Sequence, residues 1–187
     1  METGSTNASK ENVLSIEEIR GSINVVKSIS LLLAEIINEN SLEKINFAKA
    51  ETRKKVLTSA EPRLVFTSKK VPSISIQAFL ERILKYTKIE ESTLIMTLIY
   101  IDRLCDFNQV QLSEVNIHRI ILATLVLAIK YNEDDYYSNE FYAKVGGVSL
   151  IELNQLEYES IKMIRHTLFV EDELYKKYEK YLTHYLK

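Results

Sequence analysis

The sequence has 187 residues, enough for about one domain that buries roughly 70% of the surface its unfolded chain would expose. Its 24 Lys and Arg residues nearly balance its 26 Asp and Glu residues, so the net charge of −2 provides no basic field for nucleic acid or for an acidic membrane surface. With 4 Gly and 2 Pro against 46% hydrophobic residues, the composition favours an all-α fold.

The N-terminal region begins with residues 1–12, which have no apolar segment of the secretory type and are expected to form a disordered leader. Ser15 and Glu18 form a capping box, so a helix should begin at Ile16. Its apolar residues keep a spacing close to seven residues as far as Ile37, so a coiled-coil homodimer is one alternative. Packing on its own domain is favoured, because so short a heptad pattern with a polar gap barely supports a dimer.

The predicted secondary structure changes at Pro72, from a weak helix and a linker to closely spaced helices. A weaker helical stretch covers about 46–58, and 59–72 contains both prolines and is typical of a linker. Beyond it we predict five closely spaced helices: Ile76–Tyr86, Ser92–Phe107, Ile117–Tyr131, Asn139–Val145 and Leu150–Thr167. The predicted N-caps are Ser75, Ser92, Asn116, Ser138 and Ser149. The second and third of these helices are apolar on nearly every face and should lie at the centre, and a last amphipathic helix follows Asp172.

No catalytic or metal-binding pattern stands out along the chain. His118, His166 and His184 are isolated, and no metalloprotease, nucleophile-elbow, Walker or dinucleotide-binding motif occurs. Cys105 is interpreted as a small core residue, and as the single cysteine it suits a reducing compartment. The acidic run 133–135 lacks the spacing of a calcium loop and is predicted to be a solvated loop. We therefore expect no cofactor, no metal and no enzymatic activity.

Three stretches together resemble a cyclin box. They are LIYIDRL from Leu98, HRIILATLVLAIKY from His118 with EDD just after it, and FYAKVGGVSLIELNQLE from Phe141. The spacing of the five predicted helices also matches that of a cyclin box. The residues of the three motifs are similar to those of the P-type and U-type cyclins related to the yeast phosphate-pathway cyclin. The resemblance covers a five-helix cyclin box at 72–170. It does not explain the predicted disordered leader at 1–12 or the N-terminal helical extension and linker at 13–71, and a C-terminal helix is predicted at 171–187.

The resemblance also implies a function: a regulatory subunit that binds and activates a cyclin-dependent serine/threonine protein kinase in the cytoplasm or nucleus. In the family, a Lys at the end of the third box helix and a Glu in the fifth meet the regulatory helix of the kinase, and these match Lys130 and Glu157. Tyr131, Phe141 and Tyr142 extend this predicted kinase-binding surface, since interface centres are rich in aromatic residues. By residue type and position alone, Lys130 is better explained by the helix dipole and Glu157 by helix propensity; the motifs around both residues favour the kinase contact.

A second residue pair has a predicted structural role. Cyclins pair the Asp of the YID segment with a basic residue on the first box helix, and the matching residues here are Asp102 and Arg82. The first box helix lacks the MRxIL-like segment with which many cell-cycle cyclins dock substrates, so no docking groove is predicted.

The partner class is not fixed by the sequence alone. A non-kinase cyclin-box adaptor or a transcription-type scaffold would use the same helical bundle. The sequence does not decide between a cell-cycle role and a role in phosphate signalling. We expect a monomer before kinase binding, with no nucleic acid and no membrane as partner.

Overall fold

The computed structural model describes residues 16–50 and 64–185, and the regular elements within these ranges are helices. The all-α prediction is confirmed. In chain order the helices are α1 Ile16–Ala50, α2 Ile76–Thr87, α3 Glu91–Asn108, α4 Ile117–Asn132, α5 Asn139–Gly146, α6 Leu150–Met163 and α7 Asp172–His184. The predicted leader 1–12, the capping residue Ser15 and residues 51–63 lie outside the described residues.

Three serine side chains begin their helices as predicted. The hydroxyls of Ser75, Ser138 and Ser149 accept hydrogen bonds from the backbone N–H three residues later, at 3.1, 3.4 and 3.1 Å. The prediction for Ser92 is wrong, because α3 begins one residue earlier and Glu90 occupies the cap position without a side-chain cap. Serines at helix starts therefore predicted the boundaries of α2, α5 and α6 well.

Left-handed backbone conformations follow four of the described helices, α2, α3, α5 and α6. Gly147 has φ 72° and follows the last residue of α5, a conformation that glycine adopts without steric cost. The fifth predicted helix was expected to reach Thr167, but α6 ends at Met163. Arg165 and His166 have φ 55° and 57°, which no α-helix accommodates.

The core is centred on α4, as its sequence predicts. Every residue from Ile120 to Ile129 is buried, and α4 packs against α3 on one side and α6 on the other. The long helix α1 packs across α2, α3 and α7. By length and composition alone, Gly21–Leu42 in α1 could cross a membrane, but its residues Val26, Ile29 and Leu33 lie in the shared core, as in a core helix of a globular domain.

The segment before α2 is packed and not merely a connection. Phe66 is 1% exposed and belongs to the core. The backbone N–H of Ser68 donates to the carbonyl oxygen of Val115 at 2.7 Å, and its hydroxyl donates to the same oxygen at 2.8 Å. The described part of the predicted linker is therefore integrated into the domain.

Side-chain hydrogen bonds join the C-terminal region to α1 and α3. Tyr100 donates its hydroxyl to the carbonyl oxygen of Leu168 at 2.7 Å, just before α7. Ser28 in α1 donates to the carbonyl oxygen of Leu182 in α7 at 3.0 Å. These bonds hold α7 and the segment before it against α1 and α3.

Candidate protein interface

Lys130 and Glu157, predicted separately from two motifs, lie side by side. Lys130 is in the last turn of α4, where a cation is favoured by the helix dipole, and Glu157 is on α6. The Nζ atom of Lys130 is 2.6 Å from Oε1 of Glu157, and the side chains are 29% and 19% exposed. The structure thus brings the two residues together as an ion pair that still reaches the surface.

Asn139 is the third member of this group, and the sequence analysis missed it. Its Nδ2 donates to Oε2 of Glu157 at 2.7 Å and to Oδ1 of Asn154 at 2.7 Å. Asn139 is the first residue of α5, directly after the capping Ser138. The carboxylate of Glu157 is therefore held on one oxygen by Lys130 and on the other by Asn139.

Four aromatic residues, Tyr131, Tyr136, Tyr137 and Phe141, lie near the pair in sequence, and we call them the aromatic cluster. Tyr131 follows Lys130 directly and is 46% exposed. Phe141 is half-buried and stacks on Tyr137, with ring centroids 4.2 Å apart and an interplanar angle of 27°. Tyr136 and Tyr137 are also exposed, although neither was singled out from the sequence. The signal that could have found them is two consecutive tyrosines in the loop between α4 and α5.

Tyr142 does not belong to this surface, which corrects the expectation for that residue. Its side chain is 2% exposed, and its hydroxyl accepts a hydrogen bond from the backbone N–H of Tyr137 at 3.0 Å. Burial raises the pKa of Tyr142. The residue packs into the core because the register of α5 turns it inward while Phe141, one position earlier, stays at the edge.

The predicted ion pair between Asp102 and Arg82 is not formed, a second correction. Asp102 on α3 accepts a hydrogen bond from the hydroxyl of Tyr178 on α7. Arg82 on α2 lies over the ring of Phe79, 5.4 Å from its centroid, and its buried Nε has no hydrogen-bond partner among the described residues. Asp102 is on the side of α3 that meets α7, whereas Arg82 is on the side of α2 that approaches Gly147 after α5.

The acidic run at 133–135 also differs from its prediction as a fully solvated loop. Oε1 of Glu133 accepts a hydrogen bond from the backbone N–H of Glu90 at 3.0 Å and from Oγ1 of Thr93 at 2.5 Å. Glu133 thus satisfies the backbone N–H of Glu90 and the hydroxyl of Thr93 at the start of α3, where Glu90 makes no side-chain cap bond. Only Asp134 and Asp135 of the run are exposed.

Cys105 and His118, which the sequence analysis treated as isolated residues, are partly buried in the fold. Burial raises the pKa of the half-buried Cys105 to about 12, so its thiol stays protonated at neutral pH. Nε2 of His118 is 2.9 Å from the carbonyl oxygen of Ile74, and burial lowers the pKa of this imidazole. Among the described residues, no group of three or more His, Cys, Asp or Glu side chains is arranged to hold a metal ion.

Comparison with known proteins identifies the fold family. The model of the family described as Cyclin matches residues 24–168, most of the chain. The chain belongs to the cyclin family. In this cyclin the match begins within α1 and ends shortly after α6, so it includes the ion pair and the aromatic cluster. The resemblance to a cyclin box is confirmed.

Named relatives refine the family assignment. Cyclin-U2-1 of Arabidopsis thaliana is 39% identical over 115 residues, which are 61% of this chain and 52% of the relative. PHO85 cyclin-like protein psl1 of Schizosaccharomyces pombe is 43% identical over 111 residues, 58% of this chain and 46% of the relative. PHO85 cyclin-7 of Saccharomyces cerevisiae is 33% identical over 168 residues, 82% of this chain and 58% of the relative. The chain spans about half the length of the curated relatives it matches.

Proposed function

We propose that this cyclin binds a cyclin-dependent serine/threonine protein kinase and activates it. The observation that carries the proposal is the convergence of Lys130 and Glu157 in one partly exposed ion pair, with the exposed Tyr131 adjacent in sequence. Two of the relatives bear PHO85 in their names, which supports a kinase of that type as the partner.

The ion pair suits recognition of backbone groups on a partner helix. An ammonium group has three N–H donors, and within the described residues the Lys130 ammonium donates only to Glu157. Two donors therefore remain for carbonyl oxygens of a partner, while Tyr131 offers apolar area for burial.

Activation would follow as a population shift in the kinase. The active state pairs a regulatory-helix glutamate with the nucleotide-binding lysine and has an open activation loop. A partner shifts this equilibrium only through a difference in affinity for the two states. Contacts of this cyclin with the repositioned regulatory helix provide that difference, and the phosphoryl-transfer chemistry stays with the kinase.

A double charge reversal, Lys130→Glu with Glu157→Lys, tests the proposal. Because the two residues pair with each other, the double variant can form an attractive ion pair while it reverses the polarity offered to the partner. It also removes the acceptor of the Asn139 amide, so its folding is checked separately. The matched control is Arg119→Glu with Glu152→Arg, which reverses another ion pair between α4 and α6, with its atoms 2.7 Å apart.

The assay uses the purified full chain with a panel of cyclin-dependent kinases that includes PHO85 of Saccharomyces cerevisiae. We expect the wild type and the control to bind a kinase and raise its peptide phosphorylation, and the double variant to do neither. Equal circular dichroism spectra establish equal folding. If no kinase of the panel binds the wild type, the adaptor interpretation replaces the proposal. If the double variant binds as tightly as the wild type, the contact surface is wrong.

A further inference from the structure

Resting on the proposed function, we infer that Asn139 is a positioning residue: it fixes the Glu157 carboxylate so that Lys130 is held ready for the partner. The three residues come from three different elements, α4, α5 and α6, and meet at one carboxylate. This role differs from a partner contact, because Asn139 acts through Glu157.

The geometry of the carboxylate is the first argument. Asn139 Nδ2 is 2.7 Å from Oε2 of Glu157, and Lys130 Nζ is 2.6 Å from Oε1. With Oε2 held, the carboxylate plane cannot rotate freely, and Oε1 stays directed at the ammonium. A hydrogen bond to a charged acceptor is stronger than one between neutral groups, so this constraint is effective.

The burial of the Asn139 amide is the second argument. Its Oδ1 is covered from solvent and accepts no hydrogen bond among the described residues, whereas its Nδ2 makes both amide bonds. An unsatisfied buried acceptor costs free energy, and the bonds of Nδ2 to Glu157 and Asn154 offset that cost. The amide therefore keeps one orientation, with its Nδ2 directed at Glu157 and Asn154.

The consequence for binding is preorganisation. A lysine side chain has many rotamers, and immobilising such a chain at an interface opposes binding. Lys130 is restrained before the partner arrives, because Glu157 that accepts from it is itself restrained by Asn139. Removing the Asn139 donor should therefore weaken kinase binding although no partner contact is lost.

Two variants separate the donor from the helix start on which it lies. Asn139→Ala removes the amide. Asn139→Asp also removes the donor but places an acidic residue in the first turn of α5, where the helix dipole favours it. Ser138→Ala is the matched control, since it removes the adjacent cap and lowers stability without touching Glu157.

The first readout is the free protein, without any kinase. In ¹H–¹⁵N spectra, a lysine ammonium group gives a resolved signal when hydrogen bonding slows its exchange with water. We expect a Lys130 signal in the wild type and in Ser138→Ala, and its loss in both Asn139 variants. A Lys130 signal that persists unchanged in both Asn139 variants overturns the inference.

The second readout is kinase affinity, measured with PHO85 or the member of the panel that binds the wild type. We expect Asn139→Ala to weaken binding roughly tenfold, which corresponds to about 1.4 kcal/mol. In a Glu157→Gln background the same substitution should have little further effect, because the charged acceptor is already gone. Additive losses in the two backgrounds overturn the inference, as does an unchanged affinity of Asn139→Ala.

The two proposals fail in different ways. If the wild type binds a kinase and both Asn139 variants match it, the positioning role is wrong and kinase binding stands. If the wild type binds no kinase, the proposed function is wrong, and the Lys130 signal in the free protein alone decides whether Asn139 restrains the pair.

Discussion

Tyr178 in the C-terminal helix donates its hydroxyl to the half-buried carboxylate of Asp102, 76 residues earlier in the chain. Burial, assisted by the nearby charge of Asp106, raises the pKa of Asp102 above 3.8, although the Tyr178 hydrogen bond partly opposes the shift. This contact takes the place of the arginine partner expected from the family resemblance.

A pH-dependent stability follows from that raised pKa. The folded chain binds the Asp102 proton more tightly than the unfolded chain, so this residue makes the folded state lose stability as pH rises through its folded pKa. Relative to Asp102→Asn, the wild type should gain stability as pH falls from 7 toward 3.8, by about 1.4 kcal/mol for each unit of pKa shift. Urea unfolding of both proteins at several pH values measures this difference. A difference that is constant with pH contradicts the prediction.

The Lys130–Glu157 pair should also contribute to stability. The single substitution Lys130→Glu sets two carboxylates against each other, and we expect it to lower the free energy of unfolding by about 1–2 kcal/mol. The double reversal with Glu157→Lys should recover most of that loss. Thermal unfolding of the single and double variants gives both values, and a double variant less stable than Lys130→Glu would argue against direct pairing.

Glu133 should stabilise the start of α3, which it contacts although it lies after α4 in the chain. Glu133→Ala removes the acceptor for the Glu90 backbone N–H and for Thr93, and we expect a loss of about 1 kcal/mol. Asp134→Ala changes the next acidic residue, which is exposed, and should have little effect. Urea unfolding compares them; equal losses would show that general charge and not capping is responsible.

Gly146 should tolerate no side chain. A Cβ at this position would lie 2.3 Å from Cδ2 of Leu122 and 2.8 Å from its Cδ1, and Leu122 is buried in α4. Gly146→Ala should cost about 1–3 kcal/mol through overpacking. Adding Leu122→Val should make the combined loss smaller than the sum of the two single losses, as measured by a double-mutant cycle. Strict additivity would place the strain elsewhere.

Local sequence signals predicted most of the fold, and long-range contacts account for the misses. Caps such as Ser149 and the glycine that follows α5 act within a few residues, so sequence specified them. By contrast, the partner of Asp102 depends on where α7 packs, and the role of Glu133 depends on how the loop after α4 meets α3. The single long helix α1 also replaces two predicted pieces at its described residues. At this point of α1, Asn40 and Ser41 donate to the carbonyl oxygens of Leu112 and Ile37, and the bond to Leu112 is a long-range contact that local sequence signals do not show.

The sequence predicted part of the candidate interface, namely the residues that lie in recognisable motifs. Lys130 and Glu157 were identified from their motifs and not from any proximity visible in the sequence. Asn139 gives no comparable signal, because an asparagine at a helix start normally indicates a cap. Phe141 and Tyr142 are adjacent aromatic residues, and only the packing of α5 decides which one faces outward.

The hydrogen bond from Ser28 to the Leu182 carbonyl has a consequence for cooperativity. It links the first and last of the described helices, which also pack against each other, so a fluctuation that releases α7 must break this buried bond and expose Leu182. Sub-global opening of α7 alone is therefore disfavoured. In native-state hydrogen exchange, Ser28→Ala should therefore lower the opening free energies of amides near Leu182 in α7, while those of the buried helix α4 should change little.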